Sequence, residues 1–511
     1  MPPDGRGHGT LPVPPRAGRR EWAALSVLVL AVVMLAVDGT VLSLAVPALS
    51  ADLEPTANEL LWIGDIYSLA LAGLLVTMGT LADRVGRKRL LLIGAAGFGL
   101  ASLLAAFAPT AGWLIAARFL LGVAGATLMP STLSIIRNMF ENARQRTTAI
   151  AVWAAAASGG AAIGPLVGGF LLEHFWWGSV FIINIPVIIV LIGFGYVLIP
   201  ESRDPNPGTF DLFSAALSMV AIVALVYAVK SAVGGGGSWV PVAALAVGIT
   251  AGWIFIRRQQ YSSSPLIDVS LFRHPAFAGA VTATFVSVLA FSGLLFFFSQ
   301  YLQLVRGYGP LEAGLRELPV TLASVAVVGI AGSLVLTFGR GYVIGGGLAL
   351  AATGMVGIAV TSDSVQYLWI AIALVLVGLG VGLAFTLTTD AVMTAVPPDK
   401  AGSASAVSET AYELGVALGI ALLGSLLTTL YRAEVNTDSL PAAAADKVSD
   451  SLASAVNVLP PDSDLLHEAK LAFVHAMQWT SVTSAALLAM AAVIAWRVIP
   501  SLAGTRENES P

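Results

Sequence analysis

Fourteen stretches of this chain are each apolar for about 20 residues or more, the length a helix needs to cross the hydrocarbon core of a bilayer. They run roughly over 22–48, 60–81, 90–109, 113–137, 147–173, 178–199, 210–231, 238–258, 276–304, 310–337, 341–362, 365–395, 401–430 and 472–498. Only 11% of the residues are charged, against about a quarter in a soluble domain. The chain is therefore expected to be an all-α protein embedded in the lipid bilayer. The first run is too long for the core of a signal peptide and has no convincing cleavage site, so it is expected to be retained.

The basic residues set the orientation. With the N-terminus inside, nineteen of the 26 Lys and Arg fall in cytoplasmic segments, six (Lys230, Arg306, Arg316, Arg432, Lys447 and Lys470) fall outside, and Arg118 lies within a span. Both termini are expected in the cytoplasm. A Pro-rich stretch, Pro200–Gly208, closes the first six spans; two less polar spans follow, split by Gly234–Gly237, and then six more. The expected plan is a disordered tail over 1–21, a six-helix bundle over 22–199, a linker with two inserted, lipid-facing spans over 200–275, a second bundle over 276–498, and a tail over 499–511. The outer segment 431–470 reads as a short helical hairpin, either a gate or a surface ornament.

Charges inside a span are costly, about 2.5–3.5 kcal/mol each at a helix centre on insertion scales, and so are candidates for function. Asp38 lies about 24 Å into the first span, and Asp65 and Arg118 about 7–8 Å below the outer ends of the second and fourth, at 1.5 Å per residue. All three fall at a similar depth, where they could form one charge cluster or a static ion pair. Glu409 and Glu413 are four apart on one face of the thirteenth span, where two acids cannot both ionise cheaply. Asp390 lies near the inner end of the twelfth. Aromatic faces that could hold a cation are Trp62, Tyr67, Trp153, Phe297, Tyr301 and Tyr412.

Two glycine patterns are more specific. In the fifth run, Gly160, Gly164 and Gly168 recur every four residues and line one helix face for close packing, beside Pro165, which should bend the helix, and Gly169. Between the second and third runs stands Gly79-Thr-Leu-Ala-Asp83-Arg84-Val-Gly86-Arg87-Lys88-Arg89, with a weaker echo at Phe338-Gly-Arg-Gly341. On these motifs, and on the sequences around Asp38, Asp65, Arg118 and Glu409, the chain resembles the fourteen-helix drug–proton antiporters of the major facilitator superfamily, of the QacA type, over nearly its whole length.

The resemblance implies the major facilitator fold, with two six-helix bundles plus two inserted helices. It implies that Asp38, Asp65 and Arg118 couple protons. It implies that Glu409 and Glu413 bind substrate or proton, to which position and aromatic chemistry add Asp390, Trp62, Tyr67, Tyr301 and Tyr412 as candidates. The loop with Gly79, Asp83, Arg84, Gly86, Arg87 and Lys88 would gate the inner side, and Gly160, Gly164, Pro165, Gly168 and Gly169 would form the antiporter motif. An extra acid that such pumps can carry in the tenth span has no counterpart from Val320 to Phe338.

The expected function is proton-coupled export of lipophilic, mostly cationic drugs, dyes and quaternary ammonium compounds across a bacterial cytoplasmic membrane, by a functional monomer with no nucleic-acid partner. No enzyme is expected. With no cysteine, no histidine ligand pair and no GxxxxGK[ST], neither metal nor cofactor is expected, and the proton gradient rather than ATP supplies the energy. The rival readings are an exporter dedicated to one natural product, a nutrient symporter on the same fold, and a sensor or scaffold that moves nothing.

Overall fold

The computed structural model of the protein describes residues 17–203, 211–233, 239–262, 265–364, 366–396 and 401–499. The ends of the expected tails, the middle of the Pro-rich linker, the Gly234–Gly237 run and Lys400 lie outside the described residues.

The apolar runs form helices, numbered here by span: α1 Arg19–Leu53, α2 Ala57–Val85, α3 Arg87–Ala106, α4 Ala111–Met139, α5 Ala143–His174 and α6 Ser179–Leu198. The inserted pair is α7 Leu212–Val233 and α8 Val240–Tyr261. Then come α9 Pro275–Val305, a broken α10 (Pro310–Ala326 with Val328–Phe338), α11 Arg340–Thr361 and α12 Tyr367–Thr394. α13 begins as Ala401–Leu418 and continues through a π turn into Gly424–Glu434, and α14 is Asp464–Val498. Among the described residues, thirteen helices are long and apolar enough to cross a membrane, or fourteen with the two arms of α10, bent by 47°, taken as one span. α14 begins eight residues earlier than its apolar run, because Ser463 caps it by accepting from the Leu466 amide and its polar first turns need no lipid.

Local chemistry sets the turns. Thr56 and Glu59 make a reciprocal capping box at the start of α2, and Thr110 and Asn142 cap α4 and α5. Gly86, between α2 and α3, and Gly339, between α10 and α11, both have positive φ, +119° and +85°. A side chain would be strained at either place. The same backbone device at matching places in each half is what an internal repeat leaves behind.

The even number of spans brings Ala17 and Ile499 to one end, called here the terminal end. There the Ala17 amide donates to Gln145, and the Arg20 guanidinium to the Val197 carbonyl. The contacts joining α1–α6 to α9–α14 gather toward the opposite, distal end. Gln303 donates to the Leu44 carbonyl at 3.0 Å, and the Leu311 amide to Glu173 at 3.5 Å. A Cβ on Gly169 would stand 2.7 Å from Leu311 Cα.

The segment between α13 and α14 folds into two short helices, Ala442–Asp450 and Leu452–Val458. They reach across to the first half. Asp450 accepts from the Ala57 amide at 2.6 Å, Lys447 pairs with Glu54 at 2.7 Å, and Asn457 donates to the Ser50 carbonyl at 3.3 Å. The hairpin is thus a bridge between halves.

Candidate functional site

α1, α4 and α6 meet around Asp38. Its Oδ2 lies 3.3 Å from Arg118 Nη1, and its Oδ1 accepts from Asn184 Nδ2 at 3.0 Å. Asn184 follows a one-residue break in α6 at Ile183, and it also donates to Ser102 of α3. Arg118 Nε donates to the Ile63 carbonyl of α2 at 3.2 Å, and the guanidinium sits 4.9 Å from the centre of the Tyr67 ring. Asp38 and Arg118 are almost wholly buried, 1% and 2% exposed. Such a pair holds its charges only when further hydrogen bonds satisfy both ions, which Asn184 and Ile63 supply here.

Asp65 takes its ion-pair partner elsewhere, while remaining within electrostatic reach of Arg118. Its Oδ2 pairs with Lys230 Nζ at 2.6 Å, both side chains fully buried. This corrects two expectations. Lys230 is not an outer-loop residue, and the inserted pair is not wholly peripheral. α8 is the least buried of the spans, but α7 packs into the seam where Ile66 and Leu69 of α2 meet Ala417 and Ala421 of α13. The physical reason is charge pairing: a lysine in an apolar helix near a buried carboxylate gains more from that partner than from an exposed lipid-facing place. The expected cluster of three is therefore two pairs.

Of the two glutamates of α13, Glu413 is set toward the first half. Glu413 is 7% exposed, stands beside Ser68 of α2 and interacts electrostatically with Tyr67 and Glu409. Tyr67 thus lies within electrostatic reach of both the Asp38–Arg118 pair and Glu413. Neither Glu409 nor Glu413 has an ion-pair partner among the described residues.

The tenth span does carry a buried acid. Glu317, 1% exposed, stands beside Ser299 of α9, and its Oε1 has no hydrogen-bond partner. Sequence reasoning missed it by scanning from Val320, although Glu317 lies seven residues into the same helix. Asn184 was missed because amides are common in helices and only the fold brings this one to Asp38.

The other candidates lie apart. Asp390 pairs with Arg340 at 2.6 Å with 55% of its side chain exposed, joining α12 to α11 at the terminal end. Tyr301 is buried and donates to the Ser362 carbonyl at 2.6 Å. Tyr412 lies tilted against Phe385, Phe297 meets Phe296 edge to face, and Trp153 donates to Thr132 at 3.2 Å. In the α2–α3 loop, Asp83 pairs with Arg87 at 2.7 Å, and the Arg87 amide donates to the Ser202 carbonyl at 3.0 Å. The Lys88 amide donates to Glu201 at 3.2 Å. These partners all belong to the first half and its linker.

The glycines of α5 serve two faces. Gly160, Gly164 and Gly168 press on α1: a Cβ at Gly160 would stand 2.9 Å from the Val33 carbonyl oxygen, and those at Gly164 and Gly168 would enter Thr40 and Val41. Gly169 and the Pro165 carbonyl press instead on Leu311 and Gly314 of α10. The helix remains continuous through Pro165.

Residues 28–420 match the Major Facilitator Superfamily. The chain is 45% identical over 489 residues to the multidrug efflux pump LfrA of Mycolicibacterium smegmatis, covering 94% of this chain and 96% of LfrA. It is 41% identical over 484 residues to the methyl viologen resistance protein SmvA of Salmonella typhimurium, covering 93% and 98%. Among solved structures, it superposes on an inward-facing, unoccupied bacterial homologue of the lysosomal transporter Spinster with a TM-score of 0.68 and 16% identity, covering 94% of this chain and 98% of that one.

Proposed function

Because this chain belongs to the Major Facilitator Superfamily, we propose that it exports lipophilic, mostly cationic compounds across a bacterial cytoplasmic membrane in exchange for protons. The observation that carries the reading is the arrangement around Tyr67, which lies within electrostatic reach both of the hydrogen-bonded Asp38–Arg118 pair and of Glu413, a glutamate with no ion-pair partner among the described residues. One group suits a proton and the other an organic cation, and a single tyrosine of α2 is within reach of both. Kinship to a multidrug efflux pump and a methyl viologen resistance protein supports cation export as the direction and cargo.

In this mechanism a proton reaching Asp38 neutralises the carboxylate and frees Arg118, which changes how α4 packs on α1. A substrate cation settles between Glu409, Glu413 and the aromatic side chains, where acids in a low dielectric favour an organic cation that sheds its water easily. The two sites communicate through Tyr67 and the α2–α13 contact. Alternation is a rocking of α1–α6 against α9–α14. With both termini cytoplasmic, the conformation closed at the distal end faces inward, ready to load.

The test uses proteoliposomes with a pH-sensitive dye inside and an imposed proton gradient. Added ethidium or a tetraphenyl cation should drive protons the opposite way in the wild type, and Asp38→Asn should abolish that counter-movement. Protons moving in the same direction as the cation would make the protein a symporter. No response to any cation would leave export of a narrow, neutral compound in its place.

A further inference from the structure

The two buried ion pairs of the first half are built differently. Arg118 is held by Asp38, by the Ile63 carbonyl and by the Tyr67 ring, and Asp38 has Asn184 besides. Lys230 has only Asp65 and an indole. Its Nζ lies 3.8 Å from the centre of the Trp62 ring, and neither Nζ nor either Asp65 oxygen makes an aligned hydrogen bond. Trp62 and Asp65 sit three residues apart on one face of α2, and Tyr227 and Lys230 three apart on α7. The Trp62 and Tyr227 rings stand 6.4 Å apart, and Tyr227 is 40% exposed. A carboxylate against an indole face, with a tyrosine as the outer wall, is a cage for an organic cation, and its occupant here is the protein's own ammonium.

We propose that Asp65, Trp62 and Tyr227 form a binding site for an organic monocation, that Lys230 fills it when no substrate is present, and that the transported cation displaces Lys230. A quaternary or delocalised cation gives up the 2.6 Å approach of Lys230 Nζ to Asp65, but it meets the same ring face and carboxylate and sheds its water at less cost than an ammonium. The lysine has the advantage of being tethered, which sets a threshold that a substrate must exceed. The seat lies at the α2–α7–α13 seam, one side chain from the lipid-facing surface, where a lipophilic cation dissolved in the bilayer would enter. The inserted helix α7 then acts as a plug rather than as packing. The inference rests on the cation-export reading and names a second seat within it.

Two readouts test it on the full chain in nanodiscs. Ethidium titration should give a Kd about tenfold lower in Lys230→Met than in the wild type, and Trp62→Leu added to Lys230→Met should erase the gain. The second readout needs no variant: in the wild type, saturating tetraphenylphosphonium should raise acetylation of Lys230 by acetic anhydride at least threefold by mass spectrometry, because a displaced lysine becomes reachable. An unchanged or higher Kd in well-folded Lys230→Met overturns the proposal, and so does flat Lys230 acetylation if that variant does not fold. Wild-type protein that transports ethidium while these readouts stay flat overturns this inference alone. Wild-type protein that neither binds nor transports a cation overturns the export reading with it.

Discussion

Arg118 Nη1 lies 3.3 Å from Asp38 Oδ2, with the guanidinium also tied to the Ile63 carbonyl and the carboxylate to Asn184, so each charge is held from two neighbouring helices at once. Removing one member of a buried pair leaves the other without a counter-charge, at about 3–5 kcal/mol, whereas removing both is often neutral. Asp38→Asn should therefore lower the thermal midpoint in detergent as well as stop proton counter-movement, and Asp38→Asn with Arg118→Met should recover much of the midpoint without recovering transport. Equal midpoints for the single variant and the wild type would mean that the pair carries little charge in the folded state.

The glycine face of α5 gives a purely steric prediction. A side chain at Gly164 would enter Thr40, while one at Gly39, on the neighbouring α1, meets nothing within 4 Å. Gly164→Val should cost about 1–3 kcal/mol through overpacking, and Gly39→Ala should be neutral or stabilising by about 0.5–1 kcal/mol, as Ala favours a helix. Thermal melts of the two variants decide it, and similar losses from both would show that helix propensity rather than close approach governs this seam.

Much of this was legible in the chain. Span number follows from apolar length alone, and the every-fourth-residue spacing of Gly160, Gly164 and Gly168 marked a packing face of α5, because helix geometry is local; only the fold shows that α1 is what packs there. Depth along a helix put Asp38 and Arg118 near one level, but pairing is a matter of azimuth and of which helices adjoin. Asp65 therefore looked equally suited to Arg118 until α7 brought Lys230 to it. Lys230 itself was counted outside because a lysine near the end of an apolar run reads as a loop charge. Asn184 shows the same limit, since only the fold brings it to Asp38, whereas Glu317 stands within the apolar run 310–337 and was legible there.

The inserted pair has its own pH signature. Burial pushes the Asp211 carboxyl up, but hydrogen bonds from Arg258 and from the Ser214 hydroxyl and amide outweigh it, holding the group down at about 2. The group's ordinary value is 3.8. A depressed folded value means that the stabilisation is fully present above about pH 4 and fades as pH falls through 2. The difference in thermal midpoint between wild type and Asp211→Asn should therefore be constant from pH 8 to 5 and shrink below 4. A difference that grew on acidification would contradict the pairing of α7 to α8 through this residue.

The distal bridge should bias which end of the protein is open. Asp450 accepts from the Ala57 amide and from Arg432, each at 2.6 Å, with 21% of its side chain exposed. Ala57 opens α2, so its N–H is one of the donors that the helix itself leaves unpaired, and an acid is favoured there by the helix dipole. The carboxylate comes from the second half and the helix from the first, so the bond exists only while the distal end is closed. A charge-assisted hydrogen bond of about 1.5–3 kcal/mol corresponds to a shift of roughly 10- to 150-fold in the ratio of the two states. Lys447 and Glu54, both more than half exposed, should contribute far less, since solvent screens such pairs. The chain has no cysteine, so spin labels at Ala51→Cys and Ala433→Cys report this end without background. Asp450→Ala should lengthen and broaden the distance distribution, and Lys447→Ala should leave it nearly as in the wild type. Identical distributions in all three proteins would show that the hairpin rides on the surface and does not hold the halves together.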